Sequence, residues 1–123
     1  MSVAAAQYGR FKQQVVADGL VWTLTEDDDF LVFPVRDGEA VPFWSSQSRL
    51  EKLCSYHPKY TRYQKISLPL AEFLELLPRL QSEKVSIGVN WSGERLAGYN
   101  VSAESLLAGL QIYMAKREGS DVP

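Results

Sequence analysis

Cys54 and His57 stand three residues apart, the one cysteine and the one histidine of a 123-residue chain. A cysteine beside a histidine is the pairing of a thiolate nucleophile with its base, and on a continuous helix positions i and i+3 meet. Two local features argue against it. Pro58 disfavours helical backbone at His57, the residue before it. Cys54 also falls on the apolar stripe of Leu50 and Leu53, where a free thiol behaves as a small hydrophobe. The expectation is a buried Cys54 beside a surface His57, with no catalytic residue assigned. Zinc takes about four ligands drawn mainly from Cys and His, so no metal site is expected. Glu26-Asp27-Asp28-Asp29 lacks the alternating ligands and central glycine of a calcium loop and reads as a solvated hairpin turn. Gly88, Gly93 and Gly98 have no Gly-Lys-Ser/Thr after them, so they read as strand and turn glycines rather than a phosphate loop. No Gly-x-Ser-x-Gly elbow is present, and the Glu72–Glu75 pair lies on the outer face of a helix. No cofactor is expected.

The net charge of −2 conceals an uneven distribution. Residues 20–46 hold Glu26, Asp27, Asp28, Asp29, Asp37 and Glu39 against Arg36. Residues 48–65 reverse the sign, with Arg49, Lys52, Lys59, Arg62 and Lys65 against Glu51. Tyr56, His57, Tyr60 and Tyr63 are interleaved among these cations. Aromatics among cations suit a protein interface, where Tyr and Arg are enriched, and they also suit single-stranded nucleic acid. A third reading lays the tyrosines down on the core and lets the acidic hairpin neutralise the basic segment, within the fold or across a dimer. Trp44 ends a strand just before Ser45-Ser46, a place where it would line a shallow pocket, whereas Trp22 and Trp91 are in phase with apolar strand faces. The candidate partner-binding residues are therefore Trp44, Tyr56, His57, Lys59, Tyr60 and Arg62.

These residues need elements to hold them. Tyr8, Phe11 and Val15 predict a helix over 4–18, closed by Asp18-Gly19. Leu20–Thr25 alternates as a strand, with Leu20, Trp22 and Leu24 on one face. Phe30–Val35 reads as the returning strand, with Pro34 marking an edge or bulge. After Asp37-Gly38, Ala40–Trp44 completes an antiparallel meander. Ser48-x-x-Glu51 has the form of a capping box and places a helix over 47–55. Residues 56–65 read as irregular, and Lys65–Leu68 as a strand. Leu70, Phe73, Leu74 and Leu77 stripe a further helix that Pro78 should end or kink, with room for a short turn to Gln81. Val85–Trp91 alternates with Val85, Ile87, Val89 and Trp91 on one face. Ser92-Gly93 turns it into Leu96–Val101, and Ser102 caps a last helix buried through Ala103, Leu106, Leu107, Leu110 and Met114. Ile112 lies off that stripe. The order predicts a single α+β domain over 1–123, with a mostly antiparallel sheet of five or six strands against three or four helices. Its ordered core is expected at about 5–117 with a short flexible tail at 118–123.

The longest apolar stretch, Phe30 to Val35, is far short of the roughly 20 residues that span a bilayer. The Met1–Gln7 terminus lacks the basic and apolar regions of a secretory signal. A lone Cys54 forms no internal disulfide. The cytoplasm is the expected location, with no membrane partner.

The order of motifs carries a resemblance. Val21-Trp22-Thr23-Leu24, Phe33-Pro34-Val35, Val41-Pro42-Phe43-Trp44-Ser45, Ile66 to Leu74 and Ile87-Gly88-Val89-Asn90-Trp91 follow one another between a leading helix and a Ser-capped one. From about Phe11 to Leu110 the chain resembles the domain of unknown function 2750 family of small bacterial proteins. The Pro-aromatic-Trp-Ser segment followed by a helix is also similar to the amino-terminal part of secretion-enhancer-type bacterial proteins, which implies interaction rather than catalysis. The expectation is a non-enzymatic cytoplasmic binding or regulatory module, comparable to immunity proteins by analogy, whose partner is another protein or a second copy of the chain. The alternatives are a small-ligand protein or enzyme with a pocket near Trp44, Tyr56 and His57, and a weak single-stranded nucleic-acid binder through residues 56–65. A near-neutral chain disfavours the last.

Overall fold

Both faces of the first strand are covered, and this sets the architecture. β1 (Leu20–Glu26) places Val21 in one apolar cluster with Phe11, Val15, Phe43, Phe73 and Leu77. It places Leu24 in a second, with Trp44, Leu50, Leu53, Cys54 and Trp91. Thr23 shares the first face by alternation, and its hydroxyl donates to the Pro42 carbonyl at 2.7 Å, so this buried polar group is satisfied. The computed structural model describes residues 3–120, which form a single α+β domain of four helices and seven strands in two sheets.

α1 (Val3–Asp18) precedes β1, which is followed by β2 (Asp29–Phe30), β3 (Phe33–Val35) and β4 (Gly38–Phe43). α2 (Gln47–Tyr56), a 3-10 turn over Pro58–Arg62, β5 (Gln64–Pro69) and α3 (Leu70–Ser82) come next. β6 (Val85–Ser92), β7 (Ala97–Val101) and α4 (Ala103–Ser120) complete the chain. One sheet runs β2-β1-β5 and the other β3-β4-β6-β7. All pairings are antiparallel except β4 with β6, which the intervening α2-β5-α3 crossover makes parallel. The sheets meet where Trp22 and Trp44 exchange both backbone hydrogen bonds, each 2.8 Å.

The expected meander is divided between these sheets. Within Phe30–Val35, Phe30 packs on the first cluster and Leu31, Phe33 and Val35 on the second. What changes is the neighbour: β2 bonds to β1, whereas β3 bonds to β4. Pro34 sits in β3, an edge strand, as its missing N–H requires.

One helix cap and two helix ends differ from expectation. Ser46, in extended conformation, caps α2 by accepting from the Arg49 N–H at 3.3 Å. Ser48 is then already inside the first turn, and Glu51 accepts instead from Gln47 Nε2 at 3.2 Å. α3 continues through Pro78 to Ser82, because buried Leu77 and Leu80 anchor the helix on both sides of the exposed proline. Ser102 caps α4 as expected, accepting from the Ser105 N–H at 3.1 Å. That helix extends to Ser120, so residues 118–120 of the expected tail are helical, while 121–123 lie outside the described residues.

β6 departs most from simple alternation. Asn90 has φ 49°, and the pairing register with β7 shifts between Val89 and Ser92. This bulge leaves Ile87 and Val89 facing the first cluster but turns Trp91 into the second. The indole then lies across Gly88 and Gly98. A Cβ at Gly88 would stand 2.4 Å from Trp91 Cε2, and one at Gly98 would stand 2.3 Å from Cδ1. Neither glycine is in the left-handed region, so their absent side chains are a packing requirement. Gly93, at φ 78°, is the turn glycine between β6 and β7. Among the described residues no helix is long and apolar enough to cross a membrane.

Candidate interaction face

The Ser46 cap fixes the rotation of α2, and from that the face follows. Leu50, Leu53 and Cys54 point into the second cluster, while Arg49, Lys52 and Tyr56 lie on the exposed side. His57 ends the helix, its N–H bonding to the Leu53 carbonyl at 3.0 Å. Its Nε2 is 2.9 Å from the Gly93 carbonyl; because a carbonyl only accepts, Nε2 carries the proton and donates. The imidazole thus ties the end of α2 to the β6–β7 turn.

The 3-10 turn beyond His57 carries the remaining candidates. Tyr60 is half-buried, its ring edge-on to Phe33 at 5.7 Å and near His57 at 5.6 Å and Tyr63 at 6.0 Å. Lys59 Nζ lies 5.2 Å over the Tyr60 ring, and the Arg62 guanidinium 4.7 Å over that of Tyr63. Arg62 also donates to the Tyr63 hydroxyl at 2.7 Å and approaches Glu26 at 3.9 Å. The last contact arises because β5 runs antiparallel to β1, with Gln64 opposite Thr25, which brings the basic turn beside the acidic hairpin. Both partners are well exposed, so this pair contributes little stability.

Trp44 is corrected outright. It is 1% exposed, covered by Leu50 and Leu53 of α2, and its Nε1 donates to the Trp91 carbonyl at 2.8 Å. The helix that follows Ser45-Ser46 folds back over the indole, so Trp44 is enclosed in the second cluster and presents almost no surface. Tyr56, by contrast, is 48% exposed. Cys54 is buried, and burial pushes its thiol pKa up, away from the thiolate a nucleophile needs. Among the described residues no three His, Cys, Asp or Glu side chains gather to hold a metal ion.

The sequence offered a pocket near Trp44, Tyr56 and His57 as an alternative, and a cleft does lie beside Tyr56, with neither Trp44 nor His57 in its lining. Between α2 and the β6–β7 turn lies a space of about 150 Å³, walled by Arg49, Lys52, Leu53 and Tyr56 on one side and residues 90–93 on the other. Arg49, Lys52 and Tyr56 at i, i+3 and i+7 form a single helical stripe, a signal that was available in the sequence. The opposite wall is held firmly. Asn90 Nδ2 donates to Ser45 Oγ at 3.1 Å, Asn90 Oδ1 accepts from the Ser45 N–H at 2.9 Å, and Ser45 Oγ donates to Gln14 Oε1 at 2.6 Å. Arg49 and Lys52 stand in no ion pair among the described residues.

Fold and face together define a small α+β domain with a cationic and aromatic helix-and-turn surface. The chain belongs to the DUF2750 family of proteins of unknown function, whose model matches residues 8–110, from α1 into α4. No curated protein and no solved structure matches it.

Proposed function

We propose that this protein is a non-enzymatic, cytoplasmic bacterial binding module whose α2 and 3-10 turn face docks on an acidic surface of another protein. The observation that carries the reading is Tyr56, 48% exposed, on a face where Arg49 and Lys52 have no ion-pair partner among the described residues. Tyrosine and arginine supply much of the energy at protein interfaces, and unneutralised cations steer an acidic partner towards them. Lys59 and Arg62, both exposed, extend the face, while His57 and Tyr60 shape it from beneath. The inward packing of Tyr60 on Phe33 leaves few free rings to stack on bases, which favours a protein over single-stranded nucleic acid. One buried, unpaired cysteine fits a reducing compartment.

The test compares partner capture by the native chain with capture by a Tyr56→Ser, Lys59→Glu, Arg62→Glu variant, after circular dichroism shows both are folded. A protein held by the native chain, lost by the variant and bound directly once purified is the expected result. Identical capture by both overturns the assignment of the face.

A further inference from the structure

The cleft beside Tyr56 specifies the chemistry of what it takes. We infer that it is a carboxylate site, receiving an Asp or Glu side chain or a terminal carboxylate carried by the protein partner; this rests on the docking reading above. Arg49 and Lys52 project from one face of α2 at i and i+3, and both border the cleft. Neither is in an ion pair among the described residues, and no carboxylate lines the cleft. Across from them the turn offers Ser92, an exposed residue whose hydroxyl bonds to no protein group among those described. Leu53 and Trp91 supply apolar wall for the stem of an acidic side chain.

Size and rigidity narrow the ligand. At about 150 Å³ the space is smaller than the roughly 300–1,000 Å³ of pockets for drug-sized molecules, and it suits a group of a few heavy atoms. The planar guanidinium of Arg49 matches a planar carboxylate in two parallel hydrogen bonds, while Lys52 adds a point charge. The spacing of the walls is preset by the His57–Gly93 bond on one flank and the Asn90–Ser45 pair behind. The site therefore needs little reorganisation on binding.

Amide chemical shifts of the labelled native protein read the inference directly. The titrants are sodium acetate, inorganic phosphate, a Glu-containing hexapeptide with an amidated C-terminus, and a neutral hexapeptide with a free or an amidated C-terminus. The expected result is movement of the Ser92 and Gly93 amides and the Trp91 indole with at least one carboxylate-bearing peptide. Binding should weaken roughly tenfold in Arg49→Gln and in Lys52→Gln and stay unchanged in Lys84→Gln. Response to the amidated Glu peptide identifies a side-chain carboxylate, and response to the free C-terminus alone identifies a terminal one. No response at these amides, equal binding by Arg49→Gln, or phosphate binding as tightly as the peptides overturns the carboxylate site. Acetate binding as tightly as the peptides overturns its protein-borne source. The two readings fail separately: partner capture that depends on Lys59 and Arg62 without peptide binding removes the cleft and keeps the face, and the reverse removes the face.

Discussion

Replacing Gly88 by alanine sets one methyl group against one indole. The added Cβ would lie 2.4 Å from Trp91 Cε2, 2.6 Å from Cζ2 and 2.7 Å from Nε1, where carbon atoms prefer about 3.5–4.0 Å. The ring has little freedom to tilt away. Its Cδ1 edge is already over Gly98, Phe33 meets it edge-on at 5.6 Å, and Nε1 donates to Asn100 Oδ1 at 2.9 Å. Overpacking costs about 1–3 kcal/mol, and a lost hydrogen bond adds about 1 kcal/mol. Gly88→Ala should therefore destabilise the fold by about 2–4 kcal/mol, a drop in Tm on the order of 10 °C. In a Trp91→Leu background the clash is gone, and the same change should cost close to nothing, because alanine restricts the unfolded chain more than glycine does. Urea unfolding followed by circular dichroism on the four members of the cycle gives the coupling. A Gly88→Ala cost within about 0.5 kcal/mol of zero, or equal costs in both backgrounds, would refute the packing argument.

Asn90→Ala should cost about 2–3 kcal/mol, since alanine tolerates the left-handed φ of 49° less well than asparagine and the change strips the buried Ser45 N–H of its acceptor. Asn90→Gly keeps the backbone conformation and should recover part of that loss in the same urea assay. Burial first, and then the neighbouring Tyr99, push the Tyr8 pKa up to about 12. Below pH 10 both folded and unfolded chains keep this phenol protonated; as pH rises from 10 towards 12 only the unfolded chain loses the proton, so stability falls across that window. Absorbance at 295 nm should show one late-ionising tyrosine in the folded protein, absent in Tyr8→Phe, and an unchanged titration would exclude the shift.

Alternation and capping made much of this fold legible. Cys54 beside Leu50 and Leu53, Ser102 ahead of α4 and the turn at Gly93 are local signals, and each stands where the sequence placed it. Misplaced features depend on distant chain. Period-two reading put Trp91 beside Val89, and the Asn90 bulge moved it across the sheet; an asparagine between Gly88 and Gly98 was the available hint. The run Phe30–Val35 was legible as extended chain, but an apolar run does not name its neighbour, so its division between two sheets was invisible. Trp44 ended a strand next to serines, and its burial was decided by α2 folding back on it. In the candidate site the cations and a pocket at Tyr56 were legible, but the second wall was not, because it comes from residues 90–93, some forty positions further on.

The seam at Trp22 and Trp44 bears on how divisible this protein is. It joins the sheets by backbone, and β1 supplies side chains to both apolar clusters, so neither half of the architecture is self-contained. The surface on α2 spans a few turns of chain, yet the cluster beneath it draws on residues from Leu24 to Trp91. A peptide copied from that surface would carry its charges without the packing that aims them. The face can be altered residue by residue, but it cannot be excised and transplanted as a segment.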